Sequence, residues 1–261
     1  MSSSITRAGA AGQSSAAIPT SNESQAPTLS TSAPRTTPAV LHALQRTEFK
    51  ISGARVFLRT PQSGKVGVVV PENNIGRIPQ GETANICYPN ISSCLTVSGL
   101  SRNGSLRGGH LTTPEGIRKD DMDTLLKAIG AQDCTKFVVA GPIEQIKART
   151  DESAYGNRKN ITAELNKLAP NAEVGFVDTE KAFSPSKPPY NVYVQHDRQQ
   201  SASDLQVHIA PAQLSMAAGV TTAKIPDDAS IPSNAQRVAD GDIVQRKPSG
   251  ILGFLSIGKK T

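Results

Sequence analysis

Between about residues 48 and 212 the apolar residues come in short runs, and most of these runs end at a glycine or a proline. Glu48-Phe49-Lys50-Ile51-Ser52-Gly53 alternates as an amphipathic strand, and Ala54-Arg55-Val56-Phe57-Leu58 follows it. Gly64 to Pro71 reads as a further strand, stopped by Pro71, and Thr135 to Pro142 as a short apolar strand with a hard stop. Val174–Val177, Asn191–Val194 and Leu205–Ile209 read the same way. Two segments carry helical spacing instead. Leu125, Leu126 and Ile129 give one apolar face, with an N-cap offered by Thr113-Pro114-Glu115-Gly116 and a stop at Gly130. Ile161, Leu165 and Leu168 give another over about 157–168, ended by Pro170. Many strands and two helices predict an α/β domain: a layered sandwich of mixed or antiparallel sheet with helices packed on it.

The flanks have a different composition. Residues 1–42 are mostly Ser, Thr, Ala, Pro, Gly and Gln, with charges at Arg7, Glu23 and Arg35 in the first forty residues and no apolar periodicity. Such a segment cannot offset its ordering entropy and is expected to be disordered. Order is expected from about Pro38 to Leu44 onwards, and His42 borders the leader. Past Pro211 the chain turns Ala-, Ser- and Pro-rich, so 213–250 reads as a linker. Ile251-Leu252-Gly253-Phe254-Leu255-Ser256-Ile257 precedes Lys259-Lys260 and would dock on the domain or touch an anionic membrane weakly. The predicted organisation is a leader over 1–42, one domain over 43–212, and a linker with C-terminal tail over 213–261.

Composition narrows the partners. Net charge is +6, but no basic run exceeds two or three residues and none is interleaved with aromatics, so no nucleic-acid partner is expected. No stretch approaches the roughly 20 apolar residues of a membrane span, and the N-terminus lacks the basic-then-apolar pattern of a secretory signal peptide. The three cysteines, Cys87, Cys94 and Cys134, are odd in number and widely spaced. A disulfide framework is therefore not expected, and a reducing compartment fits best. No further Cys or clustered His completes a zinc set around Cys87 and Cys94, so neither metal nor cofactor is expected.

Cys94 stands apart from the other two. It follows Ser93 and opens the apolar run Leu95 to Leu100, which reads as a thiol at the head of a buried strand. Sixteen residues on, Gly108-Gly109-His110-Leu111 reads as a second strand. That spacing allows out, turn and back, so a hairpin would set an imidazole beside the thiol, as a nucleophilic cysteine requires. Gly108 and Gly109, lacking side chains, would let a substrate loop approach His110. The bland alternative is that Cys94 is a small buried hydrophobe, the reading assigned to Cys87 and Cys134. His196 is expected in a turn after a strand, and His208 in a structural role within the last strand.

The order of these segments resembles the CheD family of bacterial chemoreceptor glutamine deamidases. The matching residues are Ser93-Cys94 with its apolar follow-on, and Gly108-Gly109-His110-Leu111 with Pro114. Lys136-Phe137-Val138-Val139-Ala140-Gly141 and Gly156-Asn157-Arg158-Lys159-Asn160 also match, the last with one residue inserted. The resemblance covers about 48–210. It implies a CheD-like deamidase fold, a Cys94 nucleophile and a His110 base. The family's third catalytic member, a Thr six residues before the nucleophile, is here Tyr88. Asn90 and Ser92 are nearby candidates to orient the imidazole, or a backbone carbonyl does so.

A compact chemotaxis deamidase has no 40-residue Ser/Thr/Pro leader and no long tail. The combination resembles the HopAF/XopAF effectors of plant pathogens. It implies delivery by a type III system into the host cytosol, a host protein as substrate, and a secretion chaperone as a candidate partner at the leader.

Deamidation hydrolyses a side-chain carboxamide of Gln or Asn. On this reading His110 lowers the pKa of Cys94 by pairing with its thiolate, and the thiolate attacks the amide carbon. Backbone N–H groups of Ser93 and Cys94 hold the oxyanion, and His110 protonates departing ammonia. Two other readings remain open. One is a non-enzymatic effector that binds a host protein through a degenerate deamidase fold. The other is a papain-like protease or acyltransferase, for which His196 and His208 lie far enough from Cys94 but no papain-type motif surrounds the cysteine.

Overall fold

A strand that reads as a near-continuous apolar run needs cover on both faces, and the chain supplies three layers to provide it. The computed structural model describes residues 49–51, 53–112, 118–145, 158–183, 188–197, 204–217 and 220–246. The leader 1–42 with His42, the Thr113-Pro114 helix start, Gly156-Asn157 and the Ile251–Ile257 run lie outside the described residues.

In chain order the strands begin with β1 (Lys50–Ile51), β2 (Ala54–Arg55), β3 (Leu58–Arg59), β4 (Gly67–Val69) and β5 (Ile75–Ile78). Next come β6 (Asn85–Ile91), β7 (Leu95–Ser101), β8 (Leu106–Leu111), β9 (Cys134–Gly141) and β10 (Glu173–Asp178). The later strands are β11 (Tyr190–Asp197), β12 (Asp204–Pro211), β13 (Leu214–Ala217), β14 (Val220–Ala223), β15 (Gln236–Arg237) and β16 (Val244–Arg246). The α-helices with both ends among the described residues are α1 (Lys119–Ala128), α2 (Arg158–Leu168) and the short α3 (Thr179–Ala182).

One sheet has the order β16-β10-β9-β7-β8-β5-β3 and a second the order β15-β12-β11-β6-β4. Both are mixed. β9 with β10, β3 with β5 and β4 with β6 are parallel, and the other pairs in these two sheets are antiparallel. The predicted α/β class and layered, mixed-sheet architecture are what the chain adopts.

The pleat sorts the core. On β7 and β9, Leu95, Val97, Phe137 and Val139 face the helices and pack with Leu125, Leu126, Ile161 and Leu165. Leu100, Val138 and Ala140 face the second sheet and meet Ile86, Tyr88, Val192 and Val207. The outer face of the second sheet, with Cys87, Tyr193 and Ala210, is capped by Ala229, Ile231 and Ala235. α1 ends where expected, because Gly130 supplies the left-handed φ of 68° that closes the helix.

Three expectations change. The stretch 213–250 is not a linker through residue 246. It forms the β13–β14 hairpin, adds β15 to the edge of one sheet and β16 to the edge of the other, and buries Ala229 and Val238. Few apolar residues are needed for edge strands that present one side to solvent, which is why composition missed them. The His110 strand lies earlier than expected, at Leu106–Leu111, and His196 sits within β11 rather than in a turn. β5 and β6 were not foreseen. β6 contains Pro89, a residue that normally argues against a paired strand. The sheet accommodates it because β4 pairs only as far as Cys87, and β11 carries an irregularity between Tyr190 and Val192.

Candidate active site

β6 belongs to the second sheet and β7 to the first, so Ser92-Ser93-Cys94 is the link by which the chain crosses between them. Cys94 sits at that seam. β7 turns back into β8 through Arg102–Gly104, with Leu95 opposite Leu111 and Thr96 opposite His110. The hairpin expected from the sixteen-residue spacing is therefore present. Gly108 and His110 share the face of β8 that looks into the space between the sheets. The Tyr88 ring stands edge-on to the imidazole, with centroids 6.0 Å apart.

A third piece comes from the turn after β4. Val70 N–H donates to Cys87 O at 2.8 Å, and His110 N–H donates to Asn74 O at 3.1 Å. Asn73 N–H donates to His110 O at 2.7 Å. Asn73 adopts a left-handed φ of 55°, a conformation Asn tolerates, and its Oδ1 accepts from the N–H and hydroxyl of Thr112 at 3.3 and 3.0 Å. This clamp delivers two groups. The Val70 carbonyl lies 3.0 Å from His110 Nδ1, and Glu72 Oε1 accepts from the Cys94 thiol at 3.5 Å.

A carbonyl only accepts, so Nδ1 carries the proton and Nε2 of the neutral ring keeps its lone pair. His110 Nε2 is buried and has no hydrogen-bond partner among the described residues. A ligating atom from each of Glu72, Cys94 and His110 lies within 4.8 Å of the other two.

The electrostatics favour a neutral pair at rest. Burial pushes the Cys94 thiol up to about 12, and the adjacent Glu72 carboxylate adds to this; hydrogen bonds from the Ser93 N–H and hydroxyl pull the other way. Burial pulls His110 down to about 4, opposed by the Val70 carbonyl. The expected depression of the Cys94 pKa by His110 is thus not a property of the resting site. Both groups lie too deep for either charge to be solvated.

The remaining predicted residues divide. Ser93 is at the sulfur, with its N–H on the thiol. Asn90, with φ of 62°, receives the Asn191 Oδ1 on its N–H at 3.1 Å, and Ser92 is exposed. Neither orients the imidazole, because the Val70 carbonyl occupies Nδ1. Gly108 and Gly109 do not clear a path for substrate. A Cβ on Gly108 would lie 1.8 Å from Tyr88 Oη, and one on Gly109 would lie 2.3 Å from Leu125 Cδ1, so protein atoms fill both spaces. A Cβ at Gly141 would lie 2.6 Å from the Cys94 carbonyl, so glycine there lets β9 close on the seam.

Cys87 and Cys134 are free, buried thiols inside core clusters, and His208 lies in β12 opposite Tyr193. Val70 and Glu72 were missed. Their only sequence signal is a strand stopped by Pro71 and followed by turn residues, and Glu72 lies 22 positions from Cys94.

Comparison with known proteins gave no matching family model and no matching curated protein. Among the described residues no helix is long and apolar enough to cross a membrane.

Proposed function

We propose that this chain is a cysteine-dependent hydrolase of side-chain amides, a CheD-like deamidase whose substrate is a Gln or Asn of a host protein. One observation carries the reading: the buried Cys94 thiol and His110 imidazole bring ligating atoms within 4.8 Å of each other, and the Val70 carbonyl leaves Nε2 as the basic nitrogen.

The chemistry follows from that tautomer. Nε2 takes the thiol proton as sulfur attacks the carboxamide carbon, so charge develops only with substrate in place. The Ser93 N–H, which hydrogen-bonds the sulfur, is a backbone donor available to the oxyanion. Nε2 returns the proton to the nitrogen, ammonia leaves and a thioester remains. Water then gives up a proton to Nε2, attacks the thioester and releases a carboxylic acid and the free thiol. Glu72 is placed to accept from the carboxamide NH2, which selects an amide over an ester. The Ser- and Thr-rich composition of residues 1–42 supports type III delivery into the host cytosol, with a secretion chaperone on that segment.

A second reading, a degenerate deamidase fold that binds a host protein without chemistry, draws on the neutral and deeply buried pair. The test is ammonia release and Gln-to-Glu or Asn-to-Asp conversion, mapped by peptide mass spectrometry after incubation with host extract. The deamidase reading expects sites converted by the wild-type chain and unchanged with Cys94→Ser or His110→Gln. Equal patterns from all three chains would leave the binding reading.

A further inference from the structure

The same three side chains have a property that amide hydrolysis does not use. A carboxylate 3.5 Å from a thiol opposes its ionisation, whereas a dication between the two reverses that sign and takes the thiolate outright. We propose that Glu72, Cys94 and His110 form a binding site for a soft divalent cation of the Zn2+ class, and that an ion seated there holds the cysteine chemistry off.

The donor set fits. Sulfur, imidazole nitrogen and one carboxylate oxygen suit zinc and exclude Mg2+ or Ca2+, which demand oxygen. Tetrahedral zinc with sulfur at about 2.3 Å and oxygen at about 2.0 Å places those two donors about 3.5 Å apart. The Cys94 Sγ to Glu72 Oε1 separation is 3.5 Å. The other donor separations are at most 4.8 Å, so closing the triangle takes a contraction of at most about 1.3 Å for the same tetrahedral edge. Glu72 is exposed and free to adjust.

The imidazole is prepared in the manner of a metal ligand. Its Nδ1 donates to the Val70 carbonyl, the outer contact that fixes ring orientation and tautomer in such sites. Its Nε2 is fully buried and unpartnered among the described residues, and a dication satisfies that lone pair.

Charge also balances. Zn2+ with one thiolate, one carboxylate and a neutral imidazole is a neutral centre, which a buried site tolerates far better than a lone ion. Binding exchanges the thiol proton for the metal: the S–H bond breaks, a Zn–S bond forms and the proton passes to buffer. Three protein ligands leave a fourth position for water.

The regulatory half of this proposal rests on the cysteine-hydrolase reading; the metal site does not. The test uses untagged full-length chain, stripped with chelator, titrated with Zn2+ against a competing zinc-binding dye. The expected result is one ion per chain and proton release on binding. Affinity should fall about 10- to 100-fold or more in Glu72→Gln, and tight binding should be lost in Cys94→Ser and His110→Gln. His208→Gln, outside the site, should bind as wild type, and Co2+ should give a thiolate charge-transfer band that Cys94→Ser lacks.

Unfolding midpoints measured alongside show whether each variant is folded. No tight binding by the wild-type chain, or binding unchanged in folded Cys94→Ser and His110→Gln, overturns the proposal. Zinc binding without amide hydrolysis would keep the metal site and remove the proposed function; amide hydrolysis without zinc binding would do the opposite.

Discussion

The Val70 carbonyl lies 3.0 Å from His110 Nδ1, and this contact, not a side chain from the crossover link, sets the imidazole. Burial lowers the folded pKa of His110 to about 4, from an ordinary value of 6.5. A lowered folded pKa contributes stability that is present above the unfolded value and lost as pH falls through the folded value. The window is therefore pH 6.5 down to 4, and the loss is about 3 kcal/mol. Denaturant midpoints of wild type and His110→Gln, measured with chelator present, should converge across that window as pH falls. Nitrogen-detected NMR should show the neutral Nδ1–H tautomer at pH 7. A charged ring at pH 7 would contradict the lowering of the His110 pKa by burial.

Cys94 responds in the opposite direction. Its thiol is pushed up to about 12, first by burial and then by Glu72. Alkylation by a small reagent should therefore rise steadily with pH, without a plateau between pH 5 and 8. Glu72→Gln removes a neighbouring negative charge and should speed alkylation at pH 8 by about tenfold, the effect of one pKa unit on thiolate fraction. Mass spectrometry of the labelled cysteines measures both. Labelling of Cys94 that is already maximal at pH 6 would indicate a preformed thiolate instead.

Tyr88 Oη and Ser98 Oγ are 2.7 Å apart in the buried space between the sheets, and Gly108 leaves the room they occupy. Gly108→Ala should push the phenol out of that space and break the bond, destabilising the fold by about 2–4 kcal/mol. Tyr88→Phe alone should cost about 1–2 kcal/mol, because Ser98 keeps a buried hydroxyl without its partner. The two changes should be markedly less than additive, since both act on one contact. Chemical denaturation of the double-mutant cycle reads the coupling; strict additivity would place the tyrosine elsewhere.

Much of the first sheet was legible in the sequence, because β7, β9 and β10 are covered on both faces and read as apolar runs, β9 with a hard stop at Gly141-Pro142. The Cys94–His110 hairpin was legible for the same reason: sixteen residues with a turn between two apolar strands leave little else to build. The glycines of β8 misled, since a missing side chain looks the same in sequence whether a substrate or a neighbouring ring fills the space. Glu72 could not be seen, because its only connection to Cys94 is through space, across β5 and β6. Pro89 hid β6, and the polar edge strands β15 and β16 carry no hydrophobic signal.

Those edge strands support the last prediction. β15 pairs with β12 at His208 and Ile209, and β16 pairs with β10 over Val174–Phe176. Ala229, Ile231 and Ala235 cover Cys87 and Tyr193, and Ile243 packs into the core between the sheets. A chain ending at Ala212 loses all of these contacts, whereas one ending at Arg246 keeps every one described. The shorter chain should unfold at lower denaturant by several kcal/mol, since it uncovers a whole apolar face and several large side chains. It should also expose Cys87, which burial now pushes up to about 12, to alkylation at pH 8. The Arg246 chain should keep Cys87 protected. Equal protection of Cys87 in both truncations would mean that 213–246 is the dispensable linker its composition suggests.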